Sequence, residues 1–389
     1  MSNQQERWVI KAGSSLVAGK DDGINKSFIK DLVIQVQQLL NEGIQVVIVS
    51  SGAVAKGMYE LDLTERPDSL NLLQAAAAIG QLGLIEGYKT EFSNFEIKTA
   101  QVLISHDDIA NRTRYLNARN SLLTLLELGV VPIINENDSV SIEEISFGDN
   151  DTLAGAIVGL VDADRFIMLT DEEGVFSQDP KKYKNAKLLN QINLDDRSIK
   201  IDQITEGSAG VLGRGGMKTK IKAARLSLDA GAQTWVANGN DPQVLTNVLN
   251  DQEVGTFFEG SRDKLQSRKT WIASLGSPKG QLIIDDGAAK AISEEGSSLL
   301  PVGITALTGE FKKGDLVACH SQSNEVARGF SNFNASELDQ IIGLKSEEIN
   351  TKLGYASAEE VIHRDNLVLS LRDFILLLRR DLVLDALLA

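Results

Sequence analysis

Apolar positions along this chain follow two rhythms for roughly its first two thirds. Residues 8–10, 45–49, 101–104, 130–134 and 165–169 form short, mainly apolar runs bounded by polar turns, the signature of buried strands. Between them the spacing becomes helical. Phe28, Leu32, Val36 and Leu39/Leu40 make one apolar face that Gly43 closes. An alanine-rich stretch over 72–92, a segment over 116–128 ended by Gly129, and a run over 152–160 continue the helical pattern. Ile221, Ala224 and Leu228 form another helical face, ending at Gly231. Strands alternating with helices predict an α/β domain, a mainly parallel open sheet sandwiched by helices. Ligands in such sheets gather at the carboxyl ends of the strands. Residues 139–147 alternate weakly and predict a hairpin.

The rhythm breaks near residue 260. Residues 261–275 begin with a polar, charged run and read as a linker between a first domain over 1–260 and a second over 276–365. In the second, β-like runs at 281–284, 315–319 and 325–329 are separated by Gly, Ser and Asn turns, which predicts a small β-rich domain. In the tail, 366–389, Leu371, Phe374, Ile375, Leu378 and Leu382 recur at helical spacing among charged residues. It reads as an amphipathic helix that packs on protein, too charged to span a bilayer.

Composition narrows the function classes. The chain has 389 residues, ample for two domains with substantial cores, and 42% hydrophobic with 24% charged residues is ordinary for a globular protein. The first seven residues are polar, so nothing in them reads as an export signal, and no uncharged apolar run approaches membrane-spanning length. Cys319 is the single cysteine, which excludes an intrachain disulfide framework and fits a reducing cytoplasm. His106, His320 and His363 lie far apart with no second ligand at metal spacing, and none is assigned to a metal. A net charge of −15 argues against broad attraction to nucleic acid or to an anionic membrane. In such an acidic chain, basic residues at strand ends stand out.

Two such places carry candidate phosphate chemistry. Gly213-Arg214-Gly215-Gly216-Met217-Lys218-Thr219-Lys220 is a glycine-rich turn entering a helix. A helix N-terminus offers backbone N–H groups to an anion, and a lysine in the first turn adds mobile positive charge. It is not the Walker pattern. Trp8-Val9-Ile10-Lys11-Ala12-Gly13-Ser14-Ser15 ends a strand in a lysine and a small-residue turn, although a solvated strand-end lysine also fits. Another strand empties into Ser50-Ser51-Gly52-Ala53. Asn135-Glu136-Asn137-Asp138 and Gly148-Asp149-Asn150-Asp151 are acidic-amide words at strand or helix ends. Each fits plain turn chemistry, since Asn and Asp favour turns and caps. Together they also suit an amino acid, whose ammonium seeks carboxylate and amide oxygens. Thr170-Asp171 follows the next strand and suits a nucleotide or a turn equally.

In this order the words resemble the glutamate 5-kinases of the amino-acid-kinase family. Those over residues 8–260 match the catalytic part, and Asp286-Gly287-Ala288 with Gly296-Ser297-Ser298-Leu299-Leu300-Pro301-Val302-Gly303 resemble the appended PUA domain. The resemblance implies an amino-acid-kinase fold and ATP-dependent phosphorylation of the L-glutamate γ-carboxylate with Mg²⁺, the first step of proline synthesis. It puts Lys11 and Lys220 on the transferring phosphoryl group, with Asp151 orienting them. It puts Ser51, Asp138 and Asn150 on glutamate. Lys11, Thr170, Asp171 and the turn Arg214, Gly215, Gly216, Met217, Lys218, Thr219 and Lys220 would hold ATP. No protein ligand to metal is assigned. Proline as feedback inhibitor, assembly into a homo-oligomer and a cytoplasmic location are also implied. Arg214 stands where a smaller residue is common, and Ala12 and Ser50 replace commoner choices. The nearest alternatives are acetylglutamate, aspartate, carbamate or uridylate kinases, against which the 135–138 and 149–151 words argue. A PUA protein that binds RNA is the alternative from another class. Residues 276–365 hold 8 Lys and Arg against 14 Asp and Glu, so no tight binding of generic RNA is expected.

Overall fold

The computed structural model describes residues 5–140, 150–194, 216–260, 277–322, 324–354 and 358–370. The hairpin expected over 139–147, the linker, and the helical tail from residue 371 therefore lie wholly or largely outside the described residues, as do Gly148, Asp149, Arg214 and Gly215. The chain divides into two compact units, Met1–Arg262 and Asp263–Ala389.

In the first unit the strands are β1 (Arg7–Ala12), β2 (Gln45–Ser50), β3 (Lys98–Ile104), β4 (Val130–Glu136), β5 (Arg165–Thr170), β6 (Gln191–Asn193), β7 (Gln233–Asn238) and β8 (Thr256–Glu259). The helices are α1 (Ser14–Val17), α2 (Lys26–Asn41), α3 (Ala53–Glu60), α4 (Leu70–Ser93), α5 (His106–Ala110), α6 (Arg112–Glu127), α7 (Asn150–Val161), α8 (Met217–Asp229) and α9 (Val244–Leu249). One sheet runs in the order β3-β4-β2-β1-β5-β7-β8-β6. Its pairs are parallel except β7 with β8. The sandwiched, mainly parallel sheet expected from the apolar rhythm is present. β6, β7 and β8 had no counterpart in that reading; the runs at β6 and β8, of three and four residues, are too short to set a period.

Two features of this sheet place the site. The first is register: Ile134, Val49, Lys11 and Met168 lie side by side across four strands. The polar turns after β1, β2, β4 and β5 therefore open along one edge. The second is alternation, since successive side chains of a strand point to opposite faces. Trp8, Ile10 and Ala12 join Val46, Ile48 and the α2 residues Phe28, Ile29, Leu32 and Val36 in one core. Lys11 belongs to the other set and meets α7.

Helix entry and close packing fix the rest. Asn25 caps α2 by accepting from the Phe28 N–H at 3.2 Å. Gly52 begins α3 at φ 110°, a left-handed conformation that glycine adopts without strain. Helix α7 is buried on nearly every side. It approaches α8 so closely that a Cβ on Gly155 would lie 2.8 Å from the Ala223 carbonyl oxygen.

The second unit holds β9 (Gly280–Ile284), α10 (Asp286–Glu295), β10 (Ile304–Gly309), β11 (Leu316–Ser321), β12 (Asn324–Phe330), α11 (Ala335–Ile341), α12 (Ser346–Leu353) and β13 (Leu367–Leu369). Its five strands run β10-β9-β11-β12-β13 around their own apolar core. β13 pairs with β12. The sheet thus takes in residues 367–369, which the sequence reading had assigned to the amphipathic tail. Backbone pairing decides this: Leu367 and Val368 are buried against the sheet whatever spacing follows them.

Candidate active site

Residues 150 and 151 sit side by side at the start of α7 and face two different groups. Asp151 is buried, with its Oδ1 2.7 Å from Lys11 Nζ and its Oδ2 3.1 Å from Lys220 Nζ. Thr219 Oγ1 donates to Oδ2 at 2.8 Å. Three elements supply this cluster: the end of β1, the first turn of α7 and the first turn of α8. Burial alone would push the Asp151 carboxyl up, but the charges of Lys11 and Lys220 outweigh it and hold the group well below the usual carboxylate range. Two ammonium groups thus converge on one carboxylate, and such a largely buried lysine pair suits an arriving anion.

Asn150 turns the other way. Its Nδ2 donates to the Ser50 carbonyl at 3.1 Å, to Ser51 Oγ at 3.0 Å and to Asn135 Oδ1 at 2.9 Å. This one amide ties the start of α7 to the ends of β2 and β4. Ser50 Oγ is 3.0 Å from the Tyr88 hydroxyl, and Asn135 Nδ2 donates to Gln81 Oε1 at 2.8 Å. Burial raises the Tyr88 phenol to about 12, so it stays a neutral hydrogen-bonding group. Asp138, just past β4, is buried as well. Glu136, from the same word, faces His106 Nδ1 at 3.2 Å.

The turn after β5 is organised by Asp171, whose Oδ1 accepts from Ser15 Oγ at 3.0 Å and from Thr170 Oγ1 at 3.3 Å. Partial burial acts to raise this carboxyl, and the hydrogen bonds, led by Ser15, bring it below its ordinary value. The turn entering α8 keeps Gly216 as N-cap with no side-chain cap. Met217 and Thr219 are half-buried and Lys218 is exposed.

The structure thus brings Lys11, Lys220, Asp151 and Thr219 into one cluster and Ser51 with Asn150 into a second. The two are joined through the adjacent residues 150 and 151. Thr170 and Asp171 form a third group that reaches Ser15 in the turn after Lys11. Gln81 and Tyr88 were not singled out from sequence, and Asn135 was read as part of the 135–138 word without a role of its own. Gln81 and Tyr88 carried one weak signal, polar groups within an otherwise alanine- and leucine-rich helical run.

A model of the amino acid kinase family matches residues 6–238, and one of the PUA domain matches residues 280–353. Glutamate 5-kinase of Nitrosococcus oceani is 47% identical over 93% of this chain and 96% of its own length. Glutamate 5-kinase of Hahella chejuensis is 45% identical over 94% of this chain and 95% of its own length. Among solved structures, UMP kinase from Ureaplasma parvum is 18% identical, covering 66% of this chain and 99% of its own, with a TM-score of 0.44. With a family model spanning most of the first unit and relatives of this identity over nearly the full length, the chain belongs to the amino acid kinase family and, within it, to the glutamate 5-kinases.

Proposed function

We propose that this protein transfers the γ-phosphoryl group of ATP to the γ-carboxylate of L-glutamate, giving L-glutamyl 5-phosphate and ADP for proline synthesis. The observation that carries the reading is Asp151 held between Lys11 and Lys220, next in sequence to Asn150 held against Ser51. A phosphoryl site and an amino-acid site then adjoin at the start of one helix.

The chemistry has a specific difficulty. Attacking carboxylate and γ-phosphate are both anions, so their repulsion must be cancelled. Lys11 and Lys220 do this, and Asp151 with Thr219 sets their direction before substrate arrives. One carboxylate oxygen of glutamate attacks phosphorus as the bond to the β-phosphate oxygen breaks, and ADP carries away the electron pair. The lysines stabilise the charge spread over the transferring oxygens, and no protein nucleophile is needed. Ser51, Asp138 and Asn150 hold glutamate, the buried Asp138 carboxylate suiting its ammonium. Thr170, Asp171 and the turn from Arg214 to Lys220 hold ATP.

Mg²⁺ enters with the nucleotide. Among the described residues no group of three or more His, Cys, Asp or Glu could hold a metal, and Asp151 is already committed to two lysines. Bound with the nucleotide, the ion would supply neutralisation of phosphate charge beside Lys11 and Lys220.

Proline shares the α-ammonium and α-carboxylate of glutamate, which supports feedback inhibition at an overlapping site. Exposed Leu72, Ile79 and Leu82 on α4 and exposed Leu103 on the edge strand β3 support assembly with a second copy of the chain. A buried, unpaired Cys319 suits the cytoplasm. The acidic second unit is read as regulatory or assembly-related rather than as a binder of generic RNA.

The test is ADP release with glutamate, N-acetylglutamate, aspartate, carbamate and UMP as acceptors, with and without proline. Glutamate alone should support turnover, trapped by hydroxylamine as the γ-hydroxamate. Preference for another acceptor would overturn the assignment.

A further inference from the structure

We propose that Gln81 is a positioning residue for glutamate, acting through Asn135 on Asn150; this rests on the glutamate site proposed above. Gln81 lies on α4 and is 8% exposed. Its Oε1 accepts from Asn135 Nδ2 at 2.8 Å, and Asn135 Oδ1 accepts from Asn150 Nδ2 at 2.9 Å. The three amides form a chain with one direction.

Direction matters because an amide oxygen only accepts and an amide nitrogen only donates. Turning Asn135 over would set its nitrogen against Asn150 Nδ2 and against the Glu136 N–H, which donates to Asn135 Oδ1 at 2.9 Å. Gln81 supplies the acceptor that Asn135 Nδ2 needs in the observed orientation. Asn135 in turn is one of three acceptors that hold Asn150 Nδ2, so the Asn150 oxygen is turned away from the Ser50, Ser51 and Asn135 side. A misplaced amide at that point offers the substrate a donor where an acceptor belongs.

Helix α4 is a rigid support for this chain. Gln81, Leu84 and Tyr88 share its buried face, and Tyr88 holds the end of β2 through Ser50 while Gln81 holds the end of β4. Gly80 lies so close to α3 that a Cβ there would fall 2.0 Å from the Ala53 carbonyl oxygen. A site is more precise when its support is fixed in this way. Gln81 Nε2 is buried and has no hydrogen-bond acceptor among the described residues. Replacing the amide nitrogen by oxygen therefore breaks no described contact, which provides a selective variant.

The experiment compares Gln81→Met and Gln81→Glu with the unaltered enzyme, measuring kcat and the KM values for glutamate and ATP at saturating co-substrate. Met fills a similar volume without an acceptor, and it should raise the glutamate KM by roughly tenfold, the worth of a lost buried hydrogen bond. The ATP KM should stay near that of the unaltered enzyme. Glu keeps an acceptor for Asn135 and should recover most of the lost glutamate affinity. An unchanged glutamate KM in Q81M, equal loss for both substrates, or a Q81E as impaired as Q81M would each overturn the proposal. Should Q81M fail to fold, Gln81→Ala alone and combined with Asn135→Ala decides. If Gln81 acts through Asn135, Gln81→Ala raises the glutamate KM by itself but adds nothing to that of the Asn135 variant, and an added rise overturns the proposal. Failure of the underlying reading is separate, since the unaltered enzyme would then not saturate with glutamate at all.

Discussion

Asp151→Asn probes the charge cluster most directly. The substitution preserves side-chain shape and an oxygen for Thr219, but it removes the charge held 2.7 Å from Lys11 and 3.1 Å from Lys220. At an effective dielectric of about 20, each contact represents roughly 5–6 kcal/mol of gross attraction. Desolvation offsets much of this, and removing one partner of a buried pair costs about 3–5 kcal/mol. The cost here falls near the lower figure, because Thr219 keeps its acceptor and Lys220 is 12% exposed. For a folding unit the size of Met1–Arg262 that is a fall of roughly 6–12 °C in Tm. kcat should fall about 10²- to 10³-fold, as when one preorganised electrostatic group is lost. The two lysines then lack a counter-charge that a triphosphate can supply. A non-hydrolysable ATP analogue should therefore raise the Tm of D151N more than that of the unaltered protein. Acid should also act differently. A carboxyl held below its ordinary value contributes stability that is fully present above about pH 4 and is lost as pH falls through the folded-state value. D151N should lack that part of the acid-dependent loss. Thermal melts with and without nucleotide and a coupled ADP assay measure all of this. A variant with unchanged kcat and unchanged Tm would refute the reasoning.

Lys11→Ala or Lys220→Ala should lower kcat by about 10²- to 10³-fold with the fold retained, and a folded variant with near-normal kcat would remove that lysine from the mechanism. Asp138→Ala and Asn150→Ala should chiefly raise the glutamate KM; collapse of ATP affinity instead would mean that the two substrates are reversed. Gly155→Ala places a Cβ 2.8 Å from the Ala223 carbonyl oxygen and forces α7 from α8, so Tm should fall by an amount equivalent to about 1–3 kcal/mol and kcat should fall with it. Unchanged melting and turnover would show that the Asp151–Lys220 contact does not depend on that approach. A chain ending at Arg262 should still phosphorylate glutamate, and a folded but inactive fragment would show that the second unit completes the site.

The sequence by itself determined the fold class and the order of its parts. Apolar runs with period near zero or two, broken by helical spacing and closed by Gly43, Gly129 and Gly231, are local properties, and the corresponding strands and helices are present. The chemistry-bearing words were legible for the same reason: Lys11, Ser51, Asn150, Asp151, Thr170 and Lys220 stand at the ends of strands or the starts of helices, where local signals are strong. β7 and β10 had no counterpart in the sequence reading, and β6, β8 and β13 were not legible. Strands of three or four residues take their identity from partners far along the chain, as when Gln191 pairs with Phe257 and Leu369 with Ala327.

Tertiary structure alone decided which residues share a site. Lys11 and Lys220 meet on Asp151 because strand alternation turns Lys11 toward α7 and because Gly155 lets α8 approach. Asn150 and Asp151 are neighbours in sequence, yet they serve opposite groups because a helix turns about 100° per residue. The contribution of α4 is the clearest case. The one weak local signal, a polar group in an apolar helical run, does not place Gln81 at the site; its burial against Asn135 does. A hydrogen bond spanning 54 residues leaves no mark on local periodicity, so the fold must form before that contact exists.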